Sequence, residues 1–470
     1  MTSNVQRDED ARVCGDVCSD SARSDARRKT SLSTRLGGRR WFLIIMLSLV
    51  GQVAWAVENN FFNLFIQDAF GASLSDVALM VSASALTAAL TTLLVGTWSD
   101  RVGKRKIFIV TGTILWGLSI AVFSVLQNVS GALARDAAAA AALGITLTIV
   151  FDCVMTFFGS LANDATFNAW LTDTTDDTNR GKVEGVNSAM PLLSMLAVFG
   201  GAMFLMIVNA DGTVTYDYTL FFAIIGGLVL VCGIVAGFLL EDSNPKPQRD
   251  KSYLANITYG FMPSSVRAHG VLYLVLAAYC LFAIAMQVIM PYYVLYLRLP
   301  YILGENYVLV MAPCIVIAAV FTMVYGRRVD RAGFLRSIPV PLILFFAGCI
   351  VLTALTGMGP VFVGSALMLS GYLGAVACFS AEIRNNTPLD RVGVFQGIRI
   401  FAIVLIPMLI GPWIGSTISV MSGAVGVVGF GVVGDGFTPS SLIFLGGAVV
   451  SLFVIAPLLA LRRKRGKGAN

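Results

Sequence analysis

Twelve long apolar runs dominate this sequence of 470 residues. Each run has about 20 residues or more, the length that an α-helix needs to cross the ~30 Å hydrocarbon layer of a membrane. Charged residues make up 13% of the chain, against roughly 25% in soluble globular proteins. The chain is therefore expected to be an all-α integral membrane protein. The predicted spans are residues 41–67, 75–97, 107–126, 143–171, 187–209, 218–240, 271–298, 304–325, 337–357, 359–382, 395–420 and 441–461.

The distribution of basic residues predicts how the chain is oriented. All lysines and arginines except Arg135, Arg298 and Arg399 lie in the two tails or in loops that follow even-numbered helices. By the positive-inside rule, this places both termini in the cytoplasm. The net charge of +6 then reflects topology, and no nucleic-acid partner is expected because no basic, aromatic-interleaved surface is present.

One loop motif occurs twice and indicates an internal repeat. The stretch from Gly96 to Lys106 and the stretch from Gly326 to Arg336 both read G-x-x-x-D-R-x-G-x-x-R/K, and they lie 230 residues apart. The first joins predicted helices 2 and 3, and the second joins helices 8 and 9. A repeat of half the chain predicts two six-helix halves.

The residue types of the motif suggest physical roles. Gly96 and Gly326 would let two helix backbones approach closely, and Gly103 and Gly333 would adopt the positive φ of a short turn. The aspartates can accept hydrogen bonds from a helix N-terminus or pair with arginine. The alternative is a pair of ordinary cytoplasmic loops with glycine turns, which two copies in matching positions disfavour.

The motif resembles the loop signature of the major facilitator superfamily, and the resemblance covers residues 41–462. It implies the major facilitator fold, with twelve transmembrane helices in two six-helix repeats. Loops after helices 4 and 10 share a further acidic–turn–Arg–Gly layout in both halves. In that family such loop residues latch the two halves together in one conformation. The carried-over latch residues are Gly96, Asp100, Arg101, Gly103, Arg105, Arg180, Asp330, Arg331, Gly333, Arg336 and Arg391.

The rest of the chain follows from this arrangement. We expect a disordered cytoplasmic tail (1–40), an N-terminal bundle (41–240), a central cytoplasmic loop (241–270), a C-terminal bundle (271–462) and a basic tail (463–470). The eight cysteines do not form a disulfide framework, since six lie in apolar spans and two in a reducing compartment. No metal site, cofactor or catalytic constellation is expected, and the chain is interpreted as a monomer that is not an enzyme.

Predicted helix 1 carries a polar face in the middle of an apolar run. Gln52, Trp55, Asn59 and Asn63 follow i, i+3, i+7, i+11 spacing, so an uninterrupted helix would place them on one side. Polar groups are costly in lipid, and this face should look into the bundle or a water-filled cavity. An indole beside amides is typical of sugar sites, with the first three as candidate substrate contacts; the alternative is hydrogen bonding between helices.

Predicted helix 7 shows a similar order, in which a glutamine precedes aromatic residues. Gln287 and Tyr293 are candidate substrate contacts on this basis. Tyr296 lies nearer the helix end and is interpreted as part of an interfacial aromatic belt.

Three carboxylates lie inside the spans of the first half. They are Glu58, Asp152 and Asp164, and Thr156 and Ser160 share the helix face of Asp152. Ionisable groups at this depth are candidates for coupling to H+ or, less favoured, Na+. The alternative is a buried ion pair or a carboxyl held neutral by hydrogen bonds.

These features favour a secondary transporter that works by alternating access. No nucleotide-binding motif or ATPase domain is present, and a channel or sensor fits less well. Short stretches, Gly51-Gln52-x-x-Trp55 and Thr387-Pro388-x-x-Arg391, resemble the sucrose and glycoside–pentoside–hexuronide symporter branches. Helix 2 lacks the paired aspartates that melibiose-type symporters use for Na+, which favours H+. The resemblance implies proton-coupled uptake of a sugar across the cytoplasmic membrane; a drug or metabolite exporter is the alternative.

Overall fold

The computed structural model describes residues 36–175, 179–208, 214–243, 262–387, 398–423 and 436–467. Within these ranges, twelve helices are long and apolar enough to cross a membrane, which confirms the predicted number. They are α1 (Gly38–Phe70), α2 (Leu74–Val102), α3 (Lys106–Leu133), α4 (Ala137–Thr174), α5 (Arg180–Met203), α6 (Tyr218–Leu239), α7 (Gly270–Leu297), α8 (Tyr307–Ala332), α9 (Phe334–Ala354), α10 (Met358–Asn386), α11 (Ile398–Met421) and α12 (Leu442–Arg465). A short antiparallel ribbon, β1 (Met206–Val208) with β2 (Val214–Tyr216), joins α5 to α6.

An even number of spans brings both ends of the chain to one side of the bundle, here called the termini side. The opposite end is the far side. Helix α1 begins at Gly38, earlier than residue 41, so Arg39 and Arg40 belong to the helix and not to the tail. Residues 1–35 of the predicted tail, and residues 244–261 of the predicted central loop, lie outside the described residues.

Even-numbered helices of the first half begin on the far side with side-chain caps. Ser73 accepts a hydrogen bond from the Asp76 backbone N–H (3.2 Å), and its own N–H donates to the Asp76 carboxylate (2.9 Å). Asp136 and Asp217 accept in the same way at the starts of α4 and α6. The caps satisfy amide groups that have no partner within a helix, so these ends can lie at the water boundary.

The glycines of the repeated motif behave in two different ways. Gly103 and Gly333 adopt φ angles of 66° and 76°, which confirms that the short turns need a left-handed residue. The close helix approach expected at Gly96 and Gly326 is not observed, because no described residue lies within 4 Å of a Cβ atom placed on either. These glycines face open space on the termini side in this conformation.

The two halves meet through α2 with α11 and through α5 with α8. Helix α1 also approaches α7, and aromatic side chains of α1, α3 and α6 fill the first half towards the far side, including Phe62, Phe123 and Phe222. Single π-helical turns interrupt α1 (Glu58–Phe62), α4 (Ser160–Phe167) and α11 (Phe401–Leu405). Such turns frequently mark functional sites.

Candidate functional site

Two of the three π turns in the described residues each contain a membrane-embedded carboxyl group, and the third such group, Asp152, lies in the regular part of α4. Glu58 is the first residue of the turn in α1, and Asp164 lies inside the turn in α4. A π turn adds one residue to the helix and changes the direction of the side chains around it. The sequence reasoning that assumed regular α-helical spacing could not detect this change.

Glu58 is held by hydroxyl groups from two neighbouring helices. The Ser84 hydroxyl of α2 donates to Glu58 Oε1 at 2.5 Å, and the Thr156 hydroxyl of α4 donates to the same oxygen at 2.9 Å. The two hydroxyl oxygens are 2.8 Å apart. Glu58 is therefore the point at which α1, α2 and α4 converge.

Two buried carboxyl oxygens of this cluster have no such partner. Neither Glu58 Oε2 nor Asp152 Oδ1 is hydrogen-bonded to a described residue, although Glu58 is 8% and Asp152 1% exposed. A buried carboxylate without compensation is very costly. A proton or a bound cation would remove that cost.

The three carboxyl groups are arranged as a ladder along α4. Thr156 marks the level of Glu58, with Asp152 one helical turn towards the far side and Asp164 two turns towards the termini side. Asp164 is only half-buried and accepts hydrogen bonds from Ser160 (3.2 Å) and Asn163 (3.4 Å). Exposure thus falls along the ladder from the termini side to the far side.

The four residues of the polar face predicted on α1 have three different environments. Gln52 and Trp55 are half-buried, and Asn59 is exposed. The Trp55 ring lies 5.2 Å from the ring of Trp116 in α3. Asn63, predicted on the same face, is instead 3% exposed, because the π turn Glu58–Phe62, which contains Asn59, breaks the regular spacing before Asn63.

On α7 the structure separates the two candidates. Gln287 is half-buried, but Tyr293 is 1% exposed, and its ring packs edge-on against Phe444 at 6.2 Å. Tyr293 is therefore not accessible to a solute in this conformation. The expectation that Tyr296 lies in an interfacial belt is wrong, since it is also 1% exposed and packs on Phe444.

An ion pair joins the two halves at the far side. Arg298 Nη1 lies 2.8 Å from Asp68 Oδ2, and the Tyr218 hydroxyl donates to the same oxygen at 2.6 Å. Beside them, the hydroxyls of Tyr216 and Tyr307 are 2.5 Å apart. Burial opposes the charge of Arg298, but the Asp68 carboxylate outweighs it and holds the pKa of Arg298 above its usual value.

Further hydrogen bonds between the halves lie in the same part of the bundle. The Tyr292 hydroxyl is 3.1 Å from the Leu74 carbonyl of α2 and 2.8 Å from the Pro412 carbonyl of α11. Ser82 of α2 also bonds α11. Among the described residues, the hydrogen bonds recorded between the halves all lie in the far half of the bundle, so this end is closed.

Sequence analysis did not identify these closing residues. One signal was available for the ion pair, because Asp68 and Arg298 are separated by 230 residues, the offset of the repeated motif. Opposite charges at equivalent repeat positions predict a contact across the axis that relates the halves. Ser84 and Tyr292 carry no comparable signal in the sequence.

Of the carried-over latch residues, Arg105 has the most contacts. It is 5% exposed and donates to Asp173 (3.1 Å) and Ser99 (2.8 Å), while its backbone N–H donates to Asp242 (2.8 Å). These partners belong to the first half or to the segment directly after it. Arg105 thus joins the ends of α2, α4 and α6 on the termini side.

The other charged latch residues are exposed, or their side chains lie beyond what the structure describes. Arg101, Arg331 and Arg336 are exposed. The structure describes no contact between the halves from these three side chains, and their role as a latch stays a prediction. The side chains of Asp100, Arg180 and Asp330, and the whole of Arg391, lie outside the described part of the chain.

Two linked halves close one end of a membrane-spanning bundle, and carboxyl groups are buried between the helices. This arrangement is typical of a membrane transporter. Comparison with known proteins gives the family. The sequence model of the Major Facilitator Superfamily matches residues 42–412, and the chain belongs to that family. A search of the curated proteins finds no match.

Solved structures of transporters share the fold. A bacterial homologue of the human lysosomal transporter Spinster, inward-facing, has a TM-score of 0.66 at 16% identity, over 91% of this chain and 98% of that one. A variant of the nucleoside transporter NupG has a TM-score of 0.65 at 10% identity, over 89% and 99%. The xylose transporter XylE from E. coli, partially occluded and inward-open, has a TM-score of 0.62 at 12% identity, over 88% and 97%. At these identities the likeness establishes the fold alone.

Proposed function

We propose that this protein is a proton-coupled importer of a sugar or glycoside. It would lie in the cytoplasmic membrane with both termini in the cytoplasm. The observation that carries the proposal is Glu58, which two hydroxyls hold while its second oxygen has no described partner. Such a group can bind and release one proton as its surroundings change.

The carboxylate ladder supports a proton route to the cytoplasm. Asp164 is the most exposed member and lies nearest the termini side. A proton on Glu58 can leave through Asp164 while the far side is closed. Asp152, deeper and 1% exposed, lies on the side from which protons enter when the far side opens.

The residues around the ladder support a polar, hydroxylated solute. Asn59 is exposed and Gln52, Trp55 and Gln287 are half-buried, so amides from both halves and an indole are available at similar depths. Amides bond hydroxyl groups, and an indole face packs on the C–H groups of a sugar ring. Tyr293 leaves this list because of its burial.

The closed far side supports alternating access with the termini side open. Transport then requires the Asp68–Arg298 pair and the Tyr216–Tyr307 contact to separate, and the exposed latch arginines to close the other end. The inward-facing neighbour and the inward-open xylose transporter are compatible with this state. The membership of the sucrose and glycoside symporter branch remains part of the proposal.

Uptake into proteoliposomes tests this function. A radiolabelled disaccharide and glycoside panel is offered with an inward proton gradient, with an uncoupler and with protein-free liposomes as controls. Accumulation of one solute that collapses with the uncoupler is the expected result. If no solute of the panel enters while a preloaded dye leaves against a proton gradient, the protein is an exporter and the proposal fails.

A further inference from the structure

Helix α2 carries two serines that hold different parts of the molecule. Ser84 bonds Glu58 in its own half, as described above. Ser82 faces the other half, where its hydroxyl donates to the Met408 carbonyl at 3.2 Å and accepts from the Trp413 indole N–H at 3.1 Å. Residues two apart on a helix point to nearly opposite sides, so α2 lies between the carboxyl site and α11.

The Met408 carbonyl is available to Ser82 for a local reason. In a regular helix it would accept from the backbone N–H of residue 412, but that residue is Pro412, which has none. The proline thus leaves a carbonyl inside α11 that needs a partner. Ser82, which is 7% exposed, supplies it from the opposite half.

We propose that Ser84 and Ser82 relay the protonation state of Glu58 through α2 to the contact between the halves at Trp413. This inference rests on the proposed function, in which Glu58 gains and loses a proton. Ser84 is a positioning residue and does not exchange the proton itself. A hydroxyl bonds an ionised carboxylate about twice as strongly as a neutral acceptor, so protonation of Glu58 loosens α2 from α1 and α4. Helix α2 can then move relative to α11, which changes the hydrogen bonds of Ser82 with Met408 and Trp413.

The titratable groups around Glu58 are compatible with one site that controls the pH response at Trp413. Helix α4 presents Asp152, Asp164 and the half-buried Cys153 thiol, whereas α2 faces Glu58 with the Ser84 hydroxyl. Helices α5, α6 and α7 also pack near α1, and at mid-membrane their described residues include no carboxyl, amine or imidazole group. Any pH response at Trp413 that passes through α2 therefore originates in the carboxylate ladder.

Trp413 provides a readout that needs no substrate. Its side chain is 42% exposed, and indole emission depends on the partner of the N–H group. Full-length protein in nanodiscs is titrated with acid, and the emission of Trp413→Phe is subtracted from that of the parent at each pH. The other five tryptophans cancel in this difference.

The relay predicts that the Trp413 emission, obtained by this subtraction, changes with pH in the parent protein. The change should be lost in Glu58→Gln and at least about fivefold smaller in Ser84→Ala. Ser84→Thr, which keeps the hydroxyl, should restore it. Thr92→Val is the matched control, because Thr92 bonds only the Ala88 carbonyl of its own helix among the described contacts. If Ser84→Ala is not monodisperse, Ser84→Cys replaces it as a weak donor of similar size.

The outcomes separate the relay from the function on which it rests. A signal that survives in Glu58→Gln overturns the relay, because the pH response then starts at a group other than Glu58; the uptake assay with the uncoupler decides the proposed coupling separately. A signal that is lost in Glu58→Gln but unchanged in Ser84→Ala overturns the relay and leaves the coupling intact. A parent protein without any Trp413 response to pH also overturns the relay.

Discussion

Asp68 and Arg298 occupy equivalent positions in the two repeats, and they form an ion pair with each other. Each lies near the far end of the first helix of its half, and 230 residues separate them. Residues at such positions approach one another only near the axis that relates the halves. The repeat has therefore diverged to opposite charges at the place where the two halves touch.

Breaking this pair should open the far side. The two side chains are 13% and 16% exposed, so Asp68→Asn leaves Arg298 without a charge partner in a poorly hydrated site. We expect the balance of conformations to move about tenfold or more towards an open far side. Spin labels at Leu133 and Tyr301, both exposed on that side, report the change as a longer distance.

Two controls decide whether the charge pair is responsible. The double reversal Asp68→Arg with Arg298→Asp should restore the parent distance. Asp217→Asn, which changes a far-side carboxylate that caps α6, should have no effect. If the distance between the two spin labels were unchanged in Asp68→Asn, the claim that the Asp68–Arg298 pair keeps the far side closed would be contradicted.

Tyr292 and Tyr293 should differ although they are adjacent and both fully buried. Tyr292→Phe removes the hydroxyl that bridges α7 to α2 and α11, which should weaken far-side closure by about 1 kcal/mol. Tyr293→Phe should leave both closure and substrate affinity unchanged, because its ring packs against Phe444. The same spin-label distance and the uptake KM measure these effects. A raised KM in Tyr293→Phe would restore that residue as a substrate contact.

Asn59 and Asn63 provide a second pair on one helix. Asn59→Ala should raise KM about 5- to 30-fold, since an exposed amide that bonds the solute is lost. Asn63→Ala should lower the melting temperature and leave KM close to the parent value, because Asn63 is 3% exposed and donates to the Asn59 carbonyl. The reverse pattern would show that the π turn does not set the binding face.

Arg105 should be a stability residue in this conformation. Arg105→Gln removes the guanidinium that donates to Asp173 and Ser99, and we expect the free energy of unfolding to fall by about 2 kcal/mol. Thermal unfolding in detergent checks this, with the exposed neighbour Lys104→Gln as the matched control. Equal melting temperatures for the two variants would contradict the network described here.

The large features of this molecule follow from sequence because they depend on length, composition and repetition. Apolar runs give the spans, and a duplicated loop gives the halves and the left-handed turns at Gly103 and Gly333. The π turns could not be inferred, since they depend on packing between helices, and the placement of Asn63 failed with them. The burial of Tyr293 in this conformation could not be inferred for a related reason, because tertiary contacts determine which side of α7 faces the cavity.

Glu58 gives the most direct test of the account. Glu58→Gln keeps the shape and the acceptor for Ser84 and Thr156 but cannot release a proton. We predict that it exchanges labelled solute across proteoliposomes at a rate within about threefold of the parent, while gradient-driven accumulation is lost. Asp136→Asn, which changes an exposed capping carboxylate, should retain both activities. Accumulation by Glu58→Gln at the parent level, still sensitive to an uncoupler, would contradict the central claim.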